Sequence, residues 1–269
     1  MILQPRDGRL LLIRQTDHAA LAGRLAEHWG NAHFSPPVPR QAVLVAAIHH
    51  DDGWLLWEAA PRIDPATRRP YQFTDMPLTE HAAFYRAGIS RVLAEAPYAG
   101  LLVNMHLAGL YQRRFGTDLA MPAKSRTPDE DQALLEILEQ LQGQQRTLRA
   151  QLPASGVPAP FLEEGHLGTN YKLLQVFDRL SLYFCTAPPR ETTLGPVPLD
   201  YAGREARLAL RPLDGQTVAV SPYPFDTDPL RVGVRASVVP DRAYDGDEDF
   251  RAAFAAAPAT ELSFVLRAG

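Results

Sequence analysis

The chain has 269 residues, of which 46% are apolar and 22% are charged, a balance typical of a globular protein that buries a large core. No apolar run approaches the roughly 18 residues that a membrane span requires, and a lone cysteine, Cys185, excludes an internal disulfide framework. The net charge is −4 and no basic run occurs, which argues against nucleic acid as the main partner.

The first residues, MILQPRDGRLLLI, place two short apolar runs on either side of Arg6-Asp7-Gly8. Asp-Gly between apolar runs favours a β-hairpin, so we predict a hairpin over residues 1–15. The stretch carries charge on both sides of a short apolar run and has no small-residue cleavage site, so it does not resemble a signal peptide. We therefore expect a cytoplasmic protein.

After the hairpin, apolar residues recur at helical spacing. The first helix begins near Asp17, with Thr16 or Asp17 as its cap, and a capping box of Thr127 and Glu130 starts the fifth. The segment 58–77 holds four prolines and is expected to be irregular. The other predicted helices cover 41–51, 78–95, 98–114 and 166–185.

From residue 188 onward the pattern changes to short β-type runs separated by proline and Asp-Gly, which predicts about four antiparallel strands. The sequence thus predicts a mainly α fold, a helical bundle with a small antiparallel sheet that the N-terminal hairpin can join. The predicted divisions are a hairpin at 1–15, a helical metal-binding domain at 16–187 and a β-rich subdomain at 188–269 that packs on the helices.

The most informative stretch is 43–54, VLVAAIHHDDGW, in which an apolar helix leads into four polar residues. An apolar interior accepts such side chains only with a partner, and imidazole with carboxylate is a ligand combination for zinc, manganese or iron. The pair His50 and Asp51 therefore indicates half of a metal site. The remaining ligands are expected on helices that pack against this one.

Polar residues on apolar faces of other helices supply candidates for the rest of the site. Metal sites in helical bundles are built from such inward-facing side chains. Asp178 is flanked by Val176, Phe177 and Leu180, so its burial calls for a cation or strong donors. The complete candidate set is His18, His50, Asp51, His81, His106 and Asp178.

The order His, then His-Asp after 32 residues, then two histidines and a late Asp resembles the HD-domain metal-dependent phosphohydrolases over residues 16–186. The ending Val176-Phe177-Asp178-Arg179-Leu180 is similar to the last helix of that superfamily. The resemblance implies that His18, His50, Asp51 and Asp178 hold one divalent ion. It further implies that Asp51 bridges to a second ion held by His81 and His106, the metals being iron, manganese or zinc.

The resemblance also implies a reaction, the attack of a metal-activated water on a small phosphorylated molecule. Asp52 is a candidate proton acceptor or a partner to a ligand histidine. The Asp52-Gly53-Trp54 sequence departs from the Gly-Lys that many of these hydrolases carry, so their substrate contacts do not transfer. Arg86, Arg113 and Arg114 are candidate phosphate contacts.

Two other functions remain open from the sequence. A similar ligand order occurs in the mixed-valent di-iron oxygenases of the same superfamily, which cleave C–C or C–P bonds with dioxygen. A third hypothesis is that the protein is a non-catalytic metal-binding scaffold whose sheet binds a partner. The substrate, the metal and the oligomeric state are not determined by the sequence.

Overall fold

The computed structural model describes residues 1–112 and 126–269. Of the described residues, 51% are helical and 22% lie in strands, and seven strands form one mixed sheet that curves into a half-barrel. The predicted fold class, a mainly α bundle with a small antiparallel sheet, is therefore wrong. The molecule is a helical layer packed against a large sheet.

Eight α-helices lie in the described ranges, and the capping box of Thr127 and Glu130 is confirmed at the start of the sixth. The predicted cap of α1 by Thr16 or Asp17 is wrong, because the residue before the helix is Arg14 and no side chain of α1 caps it. The helices are α1 (Gln15–Glu27), α2 (Arg40–His49), α3 (Leu55–Ala59), α4 (Leu78–Glu95), α5 (Pro97–Tyr111), α6 (Pro128–Gln151), α7 (Glu164–Thr186) and α8 (Asp247–Ala255).

The strands form a seven-stranded sheet and a separate two-stranded one. The larger sheet has the order β1-β2-β8-β9-β7-β6-β5, and β3 pairs with β4. The strands are β1 (Ile2–Arg6), β2 (Arg9–Ile13), β3 (Ile63–Asp64), β4 (Arg69–Pro70), β5 (Thr192–Pro198), β6 (Glu205–Pro212), β7 (Thr217–Ser221), β8 (Leu230–Pro240) and β9 (Ala259–Ala268).

The sheet is larger than predicted because its two longest strands, β8 and β9, form its centre and connect its two halves. β2 of the N-terminal hairpin pairs with β8, with Leu10 opposite Val239. β9 then lies between β8 and β7, antiparallel to the first and parallel to the second. The short helix α8 lies between β8 and β9 in the chain, and β8 together with α8 connects the parallel strands β7 and β9.

The core lies between the sheet and α1 and α7, which pack against each other and on the strands. Phe184 of α7 contacts Phe264 of β9 with ring centroids 4.7 Å apart, and Phe177 contacts Trp29 at 5.3 Å. On its other sides α7 meets α2 and α5, so it is the central helix. Polar side chains on α7 are therefore enclosed by helices.

The irregular segment 58–77 contains the β3–β4 pair and a short 3₁₀ turn, Phe73–Asp75. Its backbone is tied to the N-terminal strand by a bond from Phe73 N to Met1 O of 2.8 Å. No helix in the described ranges has both the length and the apolar character needed to cross a bilayer.

Candidate metal centre

Helix α1 places His18 at the centre of the helical layer, where its side chain is 1% exposed. The start of α1 is fixed by Glu58 of α3, which accepts hydrogen bonds from the backbone N–H of Gln15 and from the Thr16 hydroxyl. The bond from Gln15 satisfies one backbone N–H of the first helical turn, as a capping side chain would. His18 Nε2 then lies 2.8 Å from Asp51 Oδ2.

His50 and Asp51 lie just after the last residue of α2, where the chain enters a 3₁₀ turn, Asp52–Trp54. This turn touches the backbone of α4, because a Cβ on Gly53 would lie 2.8 Å from Phe84 O and one on Gly88 would lie 2.4 Å from Gly53 N. Two glycines thus permit the close approach. The contact brings Tyr85 of α4 to Asp51, and its hydroxyl donates to Oδ1.

Asp178 in the middle of α7 supplies the second buried carboxylate. Its Oδ1 lies 3.6 Å from His50 Nε2 and 3.8 Å from His18 Nε2. His50 Nε2 is also 3.7 Å from Asp51 Oδ2, yet it has no hydrogen-bond partner. Ligand atoms that share one ion at about 2.1 Å lie roughly 3.0–3.4 Å apart, so these separations are close to those of a shared ion.

His106 of α5 and His81 of α4 face the same interior. Ligand atoms of His50, His106 and Asp178 lie within 4.8 Å of one another, as do those of His18, His50 and Asp51. His81 is outside both groups but lines the same cavity. The structure therefore associates His106 with the first predicted ion set more closely than with His81.

All four of these histidines have their Nδ1 atom held by a group outside the cluster. Ser181 donates its hydroxyl hydrogen to Asp178 O, so its oxygen accepts from His18 Nδ1–H, and Nε2 of the same ring faces Asp51 Oδ2. Ligand histidines in metal sites are held in this way. The Nδ1 partners are Ser181 Oγ for His18 (2.7 Å), Ala47 O for His50 (2.9 Å), the Gln175 amide for His106 (2.9 Å) and the Tyr111 hydroxyl for His81.

The buried charges shift one another's pKa values strongly. Burial opposes the charged form of His50, but the Asp51 and Asp178 carboxylates outweigh it and raise its pKa to about 9. Burial likewise opposes ionisation of Asp51, and the neighbouring His50 and His18 imidazoles hold its pKa well below the usual value. Burial, together with the positive His50, lowers the pKa of His106 to about 4. In the metal-free protein one imidazolium therefore stands between two carboxylates.

A small cavity of about 20 Å³ lies at the centre of the cluster. Its apolar rim is formed by Phe73, Leu110 and Leu182, of which Phe73 and Leu182 are only partly buried. None of the described lining residues is lysine or arginine. The lining residues are Gln15, His18, Asp51, Phe73, His81, Tyr85, His106, Leu110, Asp178 and Leu182.

Two other predicted residues, Asp52 and Arg86, do not join this cluster. The Asp52 carboxylate lies 3.1 Å from His49 Nδ1 and 3.7 Å from Arg91 Nε, so it pairs away from the cavity and partners no ligand histidine. Arg86 is exposed and donates to Gln140 Oε1 at 3.0 Å, so the predicted phosphate contact is not in place. Arg113 and Arg114 lie outside the described residues.

Several residues that line the cavity or hold a candidate ligand were not predicted from the sequence. Each lies three or four residues from a predicted ligand on the same helix, and helix neighbours at those spacings share a face. That spacing is the signal that would have found them. They are Gln15 before His18, Tyr85 after His81, and Gln175 and Ser181 on either side of Asp178.

Comparison with known proteins gives one match. The family model described as "Protein of unknown function (DUF3891)" covers residues 1–241, which includes every candidate ligand and all of the sheet except β9. No curated protein and no solved structure matches the chain.

Proposed function

The chain belongs to the DUF3891 family of proteins of unknown function, and we propose that it is a metal-dependent phosphohydrolase that acts on a small-molecule phosphoester or phosphoanhydride. The observation that carries the proposal is the set of histidines held through Nδ1 around two buried carboxylates. His50 Nε2 is without a hydrogen-bond partner in that set. A buried nitrogen left in this state is costly unless something binds it.

The donor atoms fit a divalent transition metal better than calcium or magnesium. Imidazole nitrogen and carboxylate oxygen together suit zinc, iron and manganese, whereas calcium and magnesium are held mainly by oxygen. His18, His50, Asp51 and Asp178 would hold the first ion, and His106 is within reach of the same group. His81, with Nδ1 held by Tyr111, would complete a second position with Asp51.

Two divalent ions in this position would lower the pKa of a water toward neutrality and hold the phosphoryl oxygens for in-line attack. The residues of this chain fix the ligands. Tyr85 orients Asp51 by donating to Oδ1. His106 stays neutral at pH 7, because its pKa is near 4, and the Gln175 amide holds its Nδ1 atom.

The dimensions of the cavity restrict how a substrate reaches the cluster. A volume of about 20 Å³ accommodates ions or a water and is too small for a phosphoryl group in addition. Substrate binding therefore requires the partly buried Phe73 and Leu182 side chains to move aside. Because no described lining residue is a cation, the ions would have to balance the phosphoryl charge.

Phosphate release from a panel of small phosphoesters, measured after loading with manganese, iron or zinc, tests the proposal. We expect metal-dependent turnover that Asp51→Ala abolishes together with most bound metal. Full activity in Asp51→Ala would contradict the proposal. The matched control is Asp249→Asn, which changes a partly buried carboxylate paired with Arg242 far along the chain.

The same experiment separates the two other functions that the sequence left open. Two bound irons with oxygen uptake on a polyol or a phosphonate, and no phosphate release, would replace the hydrolase with a di-iron oxygenase. Bound metal without turnover of any substrate under either condition would support a scaffold.

A further inference from the structure

One polar side chain in the cavity belongs to neither the ligand set nor its supports. Gln15 is 3% exposed and lines the cavity, and its Oε1 has no hydrogen-bond partner. It lies three residues before His18, so both side chains project from one face of α1. A buried amide oxygen left unsatisfied is costly, which indicates that a bound molecule completes it.

The backbone around Gln15 is fixed independently of the cavity. Its N–H donates to Glu58, and the Thr16 hydroxyl donates to the same carboxylate at 2.8 Å. Two bonds to one buried acceptor hold the first turn of α1 in place. The amide is therefore presented at a defined position without any bound group.

Gln15 Oε1 can bind only a group that donates a hydrogen bond. A carbonyl oxygen accepts hydrogen bonds, and a phosphoryl oxygen of an ionised ester has no hydrogen to donate. A hydroxyl group donates one. A substrate that carries a hydroxyl near its phosphoryl group satisfies Gln15.

We infer that Gln15 is a substrate-recognition residue and that the substrates of this site are hydroxylated phosphoesters, the class of polyol and sugar phosphates. This inference rests on the proposed function, because it assumes that the phosphoryl group binds at the metal centre. The apolar rim of Phe73, Leu110 and Leu182 leaves Gln15 as the described polar lining residue outside the metal cluster and its tyrosine support. The Gln15 amide therefore discriminates between a hydroxylated ester and its deoxy analogue.

The test uses two phosphonates with no P–O–C bond to hydrolyse, 3,4-dihydroxybutylphosphonate and n-butylphosphonate. They have the same chain and charge and differ by two hydroxyl groups. Calorimetric titration into manganese-loaded protein without oxygen should show the dihydroxy compound binding about tenfold or more tightly, because an unsatisfied buried polar group penalises the analogue. Gln15→Met should remove that preference and leave the manganese content unchanged.

Gln4→Met is the matched control, since Gln4 is also 3% exposed but donates to Cys185 O outside the cavity. Gln4→Met should keep the preference for the dihydroxy phosphonate. Equal binding of the two phosphonates by the native protein would overturn the inference, as expected if the amide instead presents its nitrogen. Loss of manganese in Gln15→Met would also overturn it, because Gln15 would then be a metal ligand.

A separate measurement of phosphate release tests the proposed function. Glycerol 3-phosphate and n-propyl phosphate are incubated with the same manganese-loaded protein, and phosphate release is measured. Selective binding of the dihydroxy phosphonate without release of phosphate from either ester would reject the hydrolase while keeping the recognition role of Gln15. Release from both esters at equal kcat/KM, with equal phosphonate binding, would reject the role and keep the hydrolase.

Discussion

Helix α7 carries two buried polar clusters that differ in how their hydrogen bonds are satisfied. Near its start, Asn170 is fully buried, donates to Val38 O at 2.8 Å and to the Tyr98 hydroxyl at 2.9 Å, and accepts from Tyr201 at 2.6 Å. Near its middle, Asp178 lies beside His50 Nε2, which has no hydrogen-bond partner. Every hydrogen bond named in the first cluster is made within the protein. The second cluster instead places two carboxylates near a histidine nitrogen, His50 Nε2, that has no hydrogen bond.

This difference distinguishes a structural polar cluster from a functional one. Neutral groups with every bond made contribute to folding. Two carboxylates and several imidazoles brought together in a dry interior cost folding energy unless cations compensate them. Burial alone does not separate the two side chains of α7, since Asn170 and Asp178 are both buried.

Substitution at Asp178 should have the largest effect on function. In Asp178→Asn the amide keeps the size of the side chain but removes a charged ligand, so phosphate release should fall by about a thousandfold or more. The metal-free protein should also become less stable, because the His50 imidazolium loses one of the two carboxylates that stabilise it. Initial rates and urea unfolding of chelator-treated protein measure both. A marked destabilisation with unchanged rate would reverse the assignment of the two clusters.

Substitution at Asn170 should lower stability and leave function unchanged. Asn170→Leu removes the bonds that Asn170 makes to Val38 O and to the Tyr98 and Tyr201 hydroxyls, which should destabilise the fold by about 1–3 kcal/mol. Metal content and turnover per folded molecule should stay at the native level. Thermal unfolding and elemental analysis of the same preparation provide the comparison, and loss of metal in this variant would show that the two clusters are coupled.

Much of the metal cluster was predictable, because charged residues on apolar helical faces are rare enough to identify one by one. His18, His50, Asp51, His106 and Asp178 all meet within the interior. Tyr85 and Tyr111 were not found, because a tyrosine on an apolar face is ordinary core until its hydroxyl partner is known. Asp52 was selected for its position next to Asp51, but the turn after α2 directs it toward His49.

The sheet was predicted less well than the helices. Alternation in β8 and β9 indicates strands, but a period of two does not reveal which strand lies beside which. The pairing of β2 with β8 joins residues more than 200 positions apart in the chain, and β9 inserts between β8 and β7 rather than at the edge of the sheet. Such contacts leave no local pattern in the sequence.

Removal of the Tyr85 hydroxyl tests how much metal affinity depends on the hydrogen bond that orients Asp51. Tyr85→Phe removes the donor to Asp51 Oδ1 and keeps the ring that packs against His81. Loss of such a support lowers metal affinity by roughly 10–100-fold, and we expect the lower end because His18 still contacts the other oxygen. Competition with a chelator of known affinity measures the change. Tyr98→Phe, in the first cluster, should leave metal affinity unaltered.

The pH dependence of the metal-free protein should show a smaller effect. His50 has a folded pKa of about 9, above its ordinary value of 6.5, so its contribution to stability is complete below pH 6.5 and is lost as pH rises toward 9. The lowered pKa of Asp51 acts above pH 3.8 and adds nothing variable in this range. The His50 contribution to the urea midpoint should therefore decline between pH 6.5 and 9. His50→Gln should flatten that decline, and an equal decline in both proteins would contradict the account.

The most direct test of the metal centre is elemental analysis of the native protein and of Asp51→Asn, each incubated with manganese, iron or zinc and then desalted. The account predicts one or two ions per native chain and a loss of most of them in Asp51→Asn, with Asn170→Leu retaining the native amount. A native protein that retains no transition metal, or an Asp51→Asn variant that retains as much as the native chain, would contradict it.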